Sequence, residues 1–384
     1  MSVSLQARLD RPEAQSIAVA LSGGGDSVAL LHMLREAGHQ VQAVTVDHGL
    51  RAESADEAAM VGGWCRDWGV PHQVLRWEDH PKTGNLMDAA RRARRDLIHD
   101  WTLAQGLSTV VLGHTADDQA ETLLMGLTRA AGIDGLCGLR PSWQQGAVTW
   151  ARPMLRLTRD ELRDWLSSHG LPWVEDPSNS NDRFLRARTR KLLAGLAPLG
   201  LTPARLAESA AHLARARQAL DAAVLEAATR VCDERAGALH LDPGAFAALP
   251  EEIARRLAQA MILWLSGADY PPRAADLARF IAAVQDGRAA TLAGCRLKNS
   301  WLTVEPRHAD LRRWRLTGQG EAALLGAEGL RQLENWRGCG LPRHVLELTP
   351  ALWQGDRLIA APCAGFGLAS AECAPSFKAW LLSH

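Results

Sequence analysis

A chain of 384 residues with 43 basic and 43 acidic side chains carries no net charge at neutral pH. That excludes a wholly basic nucleic-acid binder but leaves room for a local basic patch. At 47% hydrophobic and 22% charged residues it reads as a globular protein of two or three domains. There is no run of eighteen apolar residues and no apolar stretch of the signal-peptide kind at the start, so a membrane span and secretion are not expected and a cytoplasmic location is. The seven cysteines are scattered without a C-x-x-C pair, which argues against a zinc ribbon or an iron–sulfur site.

The first predicted elements enclose the most informative segment. An apolar run over 16–21 predicts a strand, and another over 28–34 predicts a helix. Between them stand Ser22, Gly23, Gly24, Gly25, Asp26 and Ser27. A glycine turn opening a helix offers backbone N–H groups to an anion. The turn is neither G-x-x-x-x-G-K-[ST] nor G-x-G-x-x-G. Asp26 would repel a bare phosphate, so its presence predicts a metal ion between carboxylate and phosphate. The plain alternative is a glycine-rich turn with no ligand.

Further strands are predicted over 41–46, 72–77, 109–112 and 147–151, with helices near 26–37, 54–68, 85–105, 116–129 and 159–169. Thr158 followed by Glu161 is a helix N-cap signal. Five strands alternating with helices predict a doubly wound parallel α/β sheet, whose ligands lie at the carboxyl ends of the strands. The second strand ends in Val46-Asp47-His48-Gly49-Leu50-Arg51. The fourth ends in Gly113-His114-Thr115-Ala116-Asp117-Asp118-Gln119-Ala120-Glu121. Asp117 and Glu121, four apart, share a helix face, although acids in a first turn can also be simple dipole partners. Glu175 and Asp176 precede a basic stretch, Arg183 to Lys191, with five positive charges in nine residues. Such a run is usually a solvated helix face, but Arg186, Arg188 and Arg190 there, and Arg91 with Arg94 on the helix after Asn85, also suit a phosphate backbone.

The ordered motifs SGGGDS, VDHGLR, GHTADDQAET, RPMLRLTRDEL and EDPSNSNDRFLRARTR resemble those of bacterial tRNA(Ile)-lysidine synthetases. The first motif alone belongs to the wider N-type ATP pyrophosphatase, or PP-loop, class. The match covers about residues 16–190, with a fainter resemblance over 333–342 and 353–360. Three departures stand out: Arg129-Ala130-Ala131-Gly132 where the family commonly has Arg-Gly-x-Gly, Ala187 where Asn is common, and Asp88 and Arg95 where Glu and an aromatic are usual.

The resemblance implies a HUP-like PP-loop catalytic domain over 1–202, a helical middle domain over 203–310 and a small α+β C-terminal domain over 318–384, the last two binding tRNA. It implies ATP and Mg2+, adenylation of C2 of the wobble cytidine of tRNA(Ile) with a CAU anticodon, release of pyrophosphate, and attack by free L-lysine with loss of AMP. Ser22, Gly23, Gly24, Gly25, Asp26 and Ser27 would hold ATP, with His48, Arg51 and His114. Asp26 and Asp117 would hold the metal. Asp26, Asp117, Asp118 and Glu121 would carry the chemistry, and Asp118, Glu121, Glu175 and Asp176 are the pool of lysine-binding carboxylates. A lysine amine has a pKa near 10.4 and must lose its proton before it attacks. The oligomeric state stays open, a homodimer included. The rival readings are another PP-loop tRNA-modifying enzyme, such as a thiolase, and a tRNA-binding protein without catalysis.

Overall fold

Ile17, Val19 and Leu21 alternate with Ala18 and Ala20, and all five are buried. Both faces of β1 (Ser16–Ala20) are therefore covered, as a central parallel strand requires. The computed structural model describes residues 5–50, 54–81, 85–175 and 185–383. After β1 come α1 (Gly25–Glu36), β2 (Gln40–Asp47), α2 (Ser54–Asp67), β3 (His72–Arg76), α3 (Leu86–Ala104), β4 (Thr109–Leu112), α4 (Ala116–Leu127) and α5 (Ile133–Leu136). The chain continues through β5 (Ser142–Gln145), β6 (Val148–Ala151), α6 (Arg159–Ser168), α7 (Leu185–Leu196) and α8 (Pro203–Val231). Two compact units result, residues 1–217 and 218–384.

The sheet of the first unit runs β3-β2-β1-β4-β6-β5. Val19 pairs with Ala43 on one side and Val111 on the other, both in parallel register. The strand order reverses beside β1, which opens a crevice between the carboxyl ends of β1 and β4. Ile17, Val19 and Leu21 pack with Val28 and Leu31 of α1 and Leu162 and Leu166 of α6. Ala18 and Ala20 pack on the other face with Ile98 and Trp101 of α3 and with Trp150. The expected parallel strands are all present, but the sheet has six strands rather than five. The addition, β5, is antiparallel to β6 across a turn at Gly146. Its sequence, Ser142-Trp143-Gln144-Gln145, is mostly polar, which only an edge strand tolerates.

The second unit holds β7 (Cys232–Arg235), β8 (Ala238–Leu241), α9 (Pro243–Ala247), α10 (Glu251–Ser266), α11 (Ala274–Gln285), β9 (Ala290–Leu292), β10 (Cys295–Lys298) and β11 (Trp301–Val304). Its helices bury Leu257, Met261, Ile262 and Phe280 against Leu239 and Leu302. The expected helical character is there, joined by an antiparallel sheet β7-β8-β11-β10-β9 that the sequence reading did not anticipate. Its strands are only three or four residues long, and they turn at Ala236-Gly237, Ala293-Gly294 and Asn299-Ser300, all with positive φ. Paired positive φ is the two-residue hairpin geometry that matches strand twist. The sheet-rich end of the chain adds β12 (Trp314–Thr317), β13 (Glu321–Leu324), α12 (Gly326–Arg331), α13 (Arg343–Leu346), β14 (Pro350–Gln354), β15 (Arg357–Ala360), β16 (Ser370–Cys373) and α14 (Phe377–Ser383). Among the described residues no helix is long and apolar enough to cross a membrane.

Candidate active site

The glycine turn sits at the carboxyl end of β1. Gly23 has φ +82°, and a Cβ there would lie 2.6 Å from Val61 Cγ2. A side chain is thus excluded both by backbone conformation and by space. Gly24 caps α1 with no side-chain hydrogen bond, and its carbonyl accepts from the Ser27 and Val28 N–H groups, so among the described residues the helix start offers the N–H groups of Gly25 and Asp26 to an anion. Ser22 and Ser27 brace the turn: their hydroxyls lie 3.2 Å apart, and Ser27 Oγ donates to the Gly24 carbonyl at 2.9 Å. The Val174 N–H donates to the Gly23 carbonyl at 2.9 Å, tying the segment before Glu175 to the turn. Gly113, after β4, approaches so closely that a Cβ would lie 3.1 Å from the backbone of Asp26.

Four of the candidate carboxylates meet at one residue for which the sequence reading assigned no role. Arg159 opens α6 directly after its N-cap, Thr158. Its backbone N–H donates to Asp117 Oδ2 at 2.8 Å. Its guanidinium reaches Asp26 Oδ2 at 3.2 Å, Asp118 Oδ1 at 2.7 Å and Glu121 Oε1 at 2.8 Å. Burial lifts Asp26 above the ordinary carboxylate range, and Arg159 offsets this only in part. Burial likewise lifts Asp117. Burial also works on Asp118, but Arg159, His114 and the Thr115 hydrogen bonds outweigh it and hold its pKa low. Arg159 itself, despite burial, is held more firmly protonated by the carboxylates around it. Asp118 is also the capping-box residue of α4, accepting from Thr115 N–H at 2.9 Å and Thr115 Oγ1 at 3.0 Å. Both its oxygens are engaged.

Glu121 has no exposed surface. Its Oε1 accepts from Arg159 and from Arg190 Nε, the latter at 2.6 Å. Its Oε2 is buried without a hydrogen-bond partner among the described residues, with Arg186 Nε 3.9 Å away. An unsatisfied buried oxygen is costly, so such an atom calls for an explanation. The basic stretch therefore splits: Arg186 and Arg190, one turn apart on α7, face Glu121, whereas Arg188 is exposed. On α3, Arg91 is exposed. Arg94 is half-buried, and its charge acts on both His48 and His114.

His48 follows β2, with Nδ1 buried and without a hydrogen-bond partner among the described residues, and its pKa is lowered by burial. His114 accepts at Nδ1 from Arg152 Nε at 3.1 Å. Burial, with help from neighbouring arginines, brings its pKa to about 4. Glu175 lies apart from the cluster: its side chain is 73% exposed and 3.6 Å from Arg163. Arg51 and Asp176 lie outside the described residues. Among the described residues no group of three or more His, Cys, Asp or Glu side chains is arranged to hold a metal ion unaided. Arg159 and Arg152 are the two site residues that sequence reasoning missed. Both sit in RPMLRLTRDEL, where the first-turn position after Thr158 was the available signal.

The parallel sheet, the glycine turn at its switch point and the acids gathered behind it define a nucleotide-handling enzyme of the PP-loop class. Residues 1–196 match the PP-loop domain family of ATP-binding proteins. The chain belongs to the tRNA(Ile)-lysidine synthase family. It is 43% identical to the tRNA(Ile)-lysidine synthase of Ruegeria pomeroyi, covering 99% of this chain and 97% of that one. It is 39% identical to that of Novosphingobium aromaticivorans, over 77% of this chain and 91% of the relative. A solved structure, the U34-tRNA thiolase NcsA from Methanococcus maripaludis with its [4Fe-4S] cluster, superposes with a TM-score of 0.48 at 16% identity, covering 54% of this chain and 76% of that one.

Proposed function

We propose that this chain ligates free L-lysine to C2 of the wobble cytidine of tRNA(Ile) with a CAU anticodon, using ATP. The observation that carries this reading is the link through Arg159 between Asp26 in the anion turn and the buried Glu121. The two ends of one site thereby serve the two halves of the reaction. The cytidine C2 oxygen attacks the α-phosphorus of ATP and pyrophosphate leaves. The ε-amine of lysine then attacks C2, and AMP departs with the oxygen.

Ser22, Ser27 and the N–H groups of Gly23, Gly24 and Gly25 hold the leaving pyrophosphate in this reading, with His48 and Arg51 nearer the nucleotide. Mg2+ fits the residues present as a shared ion, because Asp26 and Asp117 are two carboxylates whose charges already act on each other beside the anion turn. When bound, it would neutralise phosphate charge. Glu121 ranks first among the lysine-binding acids. Its Oε2 is the one fully buried carboxylate oxygen of the cluster without a hydrogen-bond partner among the described residues, and Arg186 beside it suits the α-carboxylate of the same amino acid. Asp118 is spent on Thr115 and Arg159, and Glu175 is exposed. Regions 203–310 and 318–384 are assigned to tRNA binding, together with Arg91 and Arg188.

Sulfur transfer is the other reading, and Cys65 speaks against it. Cys65 is fully buried with its thiol pushed up to about 11, and Cys137 is buried and donates to the Asp134 carbonyl. A thiol held protonated by burial, as Cys65 is, does not offer the thiolate that such chemistry needs. The test is direct: incubation with tRNA(Ile) of anticodon CAU, ATP, Mg2+ and labelled lysine. The label is expected in the tRNA, and its absence in the presence of released pyrophosphate would overturn the proposal.

A further inference from the structure

His114 stands at the edge of the acid cluster and is held from behind. Arg152 Nε lies 3.1 Å from His114 Nδ1. A guanidinium has donors only, so Nδ1 must carry its lone pair toward Arg152. The ring hydrogen then sits on Nε2. A doubly protonated ring would set N–H against N–H at this contact.

Arg152 is itself fixed in two ways. Its Nη1 donates to the Arg140 carbonyl at 2.6 Å. Its guanidinium lies over the Trp143 ring, 4.3 Å from the centroid. Trp143 in turn stacks on Trp150 at 5.6 Å and 12°, and Trp150 is 2% exposed. A run of rigid contacts thus connects the hydrophobic core to one imidazole. The charged groups that act on that imidazole are Asp118 of α4, Arg152 after β6, Arg94 of α3 and Arg186 of α7. Three of the four are guanidinium groups, and they favour the neutral ring.

We propose that Arg152 is a positioning residue that locks His114 as its neutral Nε2–H tautomer, leaving the ring as a hydrogen-bond donor to a phosphoryl or carbonyl oxygen of the reacting nucleotide. The donor role rests on the adenylation reading above, whereas the tautomer rests on the geometry alone. A locked neutral donor stabilises charge developing on oxygen without reorganising at the moment of reaction. It cannot act as the base for the lysine amine, because its lone pair is committed to Arg152.

The test is the long-range proton–nitrogen spectrum of the full-length enzyme labelled in histidine, with the His114 signal identified by its loss in His114→Asn. The expected ring is the Nε2–H tautomer, staying neutral across the range where free histidine titrates. In Arg152→Met the signal is expected to gain Nδ1–H character and to titrate in that range. Arg152→Lys, which keeps a charged donor, should restore much of the wild-type signature. Pyrophosphate release by Arg152→Met should slow on the order of 10- to 100-fold, the size of a lost charge-assisted hydrogen bond, with kcat falling far more than KM for ATP rises. A wild-type ring that is cationic or protonated at Nδ1 at neutral pH would overturn the proposal by itself. So would an Arg152→Met enzyme whose His114 signal and pyrophosphate release are unchanged. Failure of the wild-type enzyme to transfer lysine would strike the functional reading and leave the tautomer standing.

Discussion

Arg159 Nη1 and Glu121 Oε1 lie 2.8 Å apart, and the carboxylate that Arg159 holds there has no exposed surface. The same guanidinium also binds Asp26 and Asp118, so one positive charge lies among three negative ones. Removing one partner of a buried ion pair leaves uncompensated charge behind. Arg159→Met is therefore expected to destabilise the first unit by about 3–5 kcal/mol, measured by denaturant unfolding. Arg159→Lys should recover little of this, because an ammonium cannot reproduce the fork to three carboxylates. Wild-type stability in the methionine variant would contradict the hub.

The basic stretch of α7 carries two kinds of arginine. Arg188 is exposed, whereas Arg190 donates to Glu121. Arg188→Ala should weaken tRNA binding and lower its log–log salt dependence by about one unit. Arg190→Ala should slow turnover with tRNA bound while changing that slope less. Equal slopes for both variants would mean that the split seen in the fold does not matter to tRNA.

Ala130 adopts φ +49° in the turn after α4, where a side chain is strained. The left-handed region costs an L-residue about 1–2 kcal/mol, and glycine loses about 0.5–1 kcal/mol more than alanine in backbone entropy on folding. Ala130→Gly should therefore gain stability of about 0.5–1 kcal/mol, read as a raised midpoint of denaturation. A lowered midpoint would show the strain to be absent.

Glu161 closes the capping box of α6 and pairs with Arg8. Burial acts to raise its pKa, but Arg8 and the Thr158 hydrogen bonds hold it below the usual 4.5. A depressed carboxylate stabilises the fold above its unfolded pKa, and this contribution is lost as pH falls through the folded value. The stability difference between wild type and Glu161→Gln should therefore be full at neutral pH and shrink as pH falls below about 4.5. A difference that grows in acid would contradict the assigned sign.

Local pattern accounts for what the sequence made readable. The β1–turn–α1 unit combines apolar periodicity with a glycine run, and Thr158 with Glu161 is a cap visible in four residues. Spacing also placed Asp117 and Glu121 on one helix face, and both reach Arg159. The strand β5 was missed because its residues are polar, and the sheet of the second unit because its strands are too short to show alternation. Arg159 and Arg152 were missed for another reason. Their partners, Asp26 and His114, lie 133 and 38 residues away, and no periodicity encodes such a meeting.

In the proposed function one acid cluster serves two half-reactions, with Glu121 kept for the lysine amine. Glu121→Gln keeps size and hydrogen bonding but removes the charge at Oε2. The decisive measurement follows pyrophosphate release and labelled-lysine incorporation side by side in a single turnover with tRNA(Ile) of anticodon CAU. The variant is expected to release pyrophosphate at close to the wild-type rate and to transfer lysine more slowly by on the order of 10- to 100-fold, the loss of one charge-assisted hydrogen bond. Both activities falling together, or both persisting, would contradict the division.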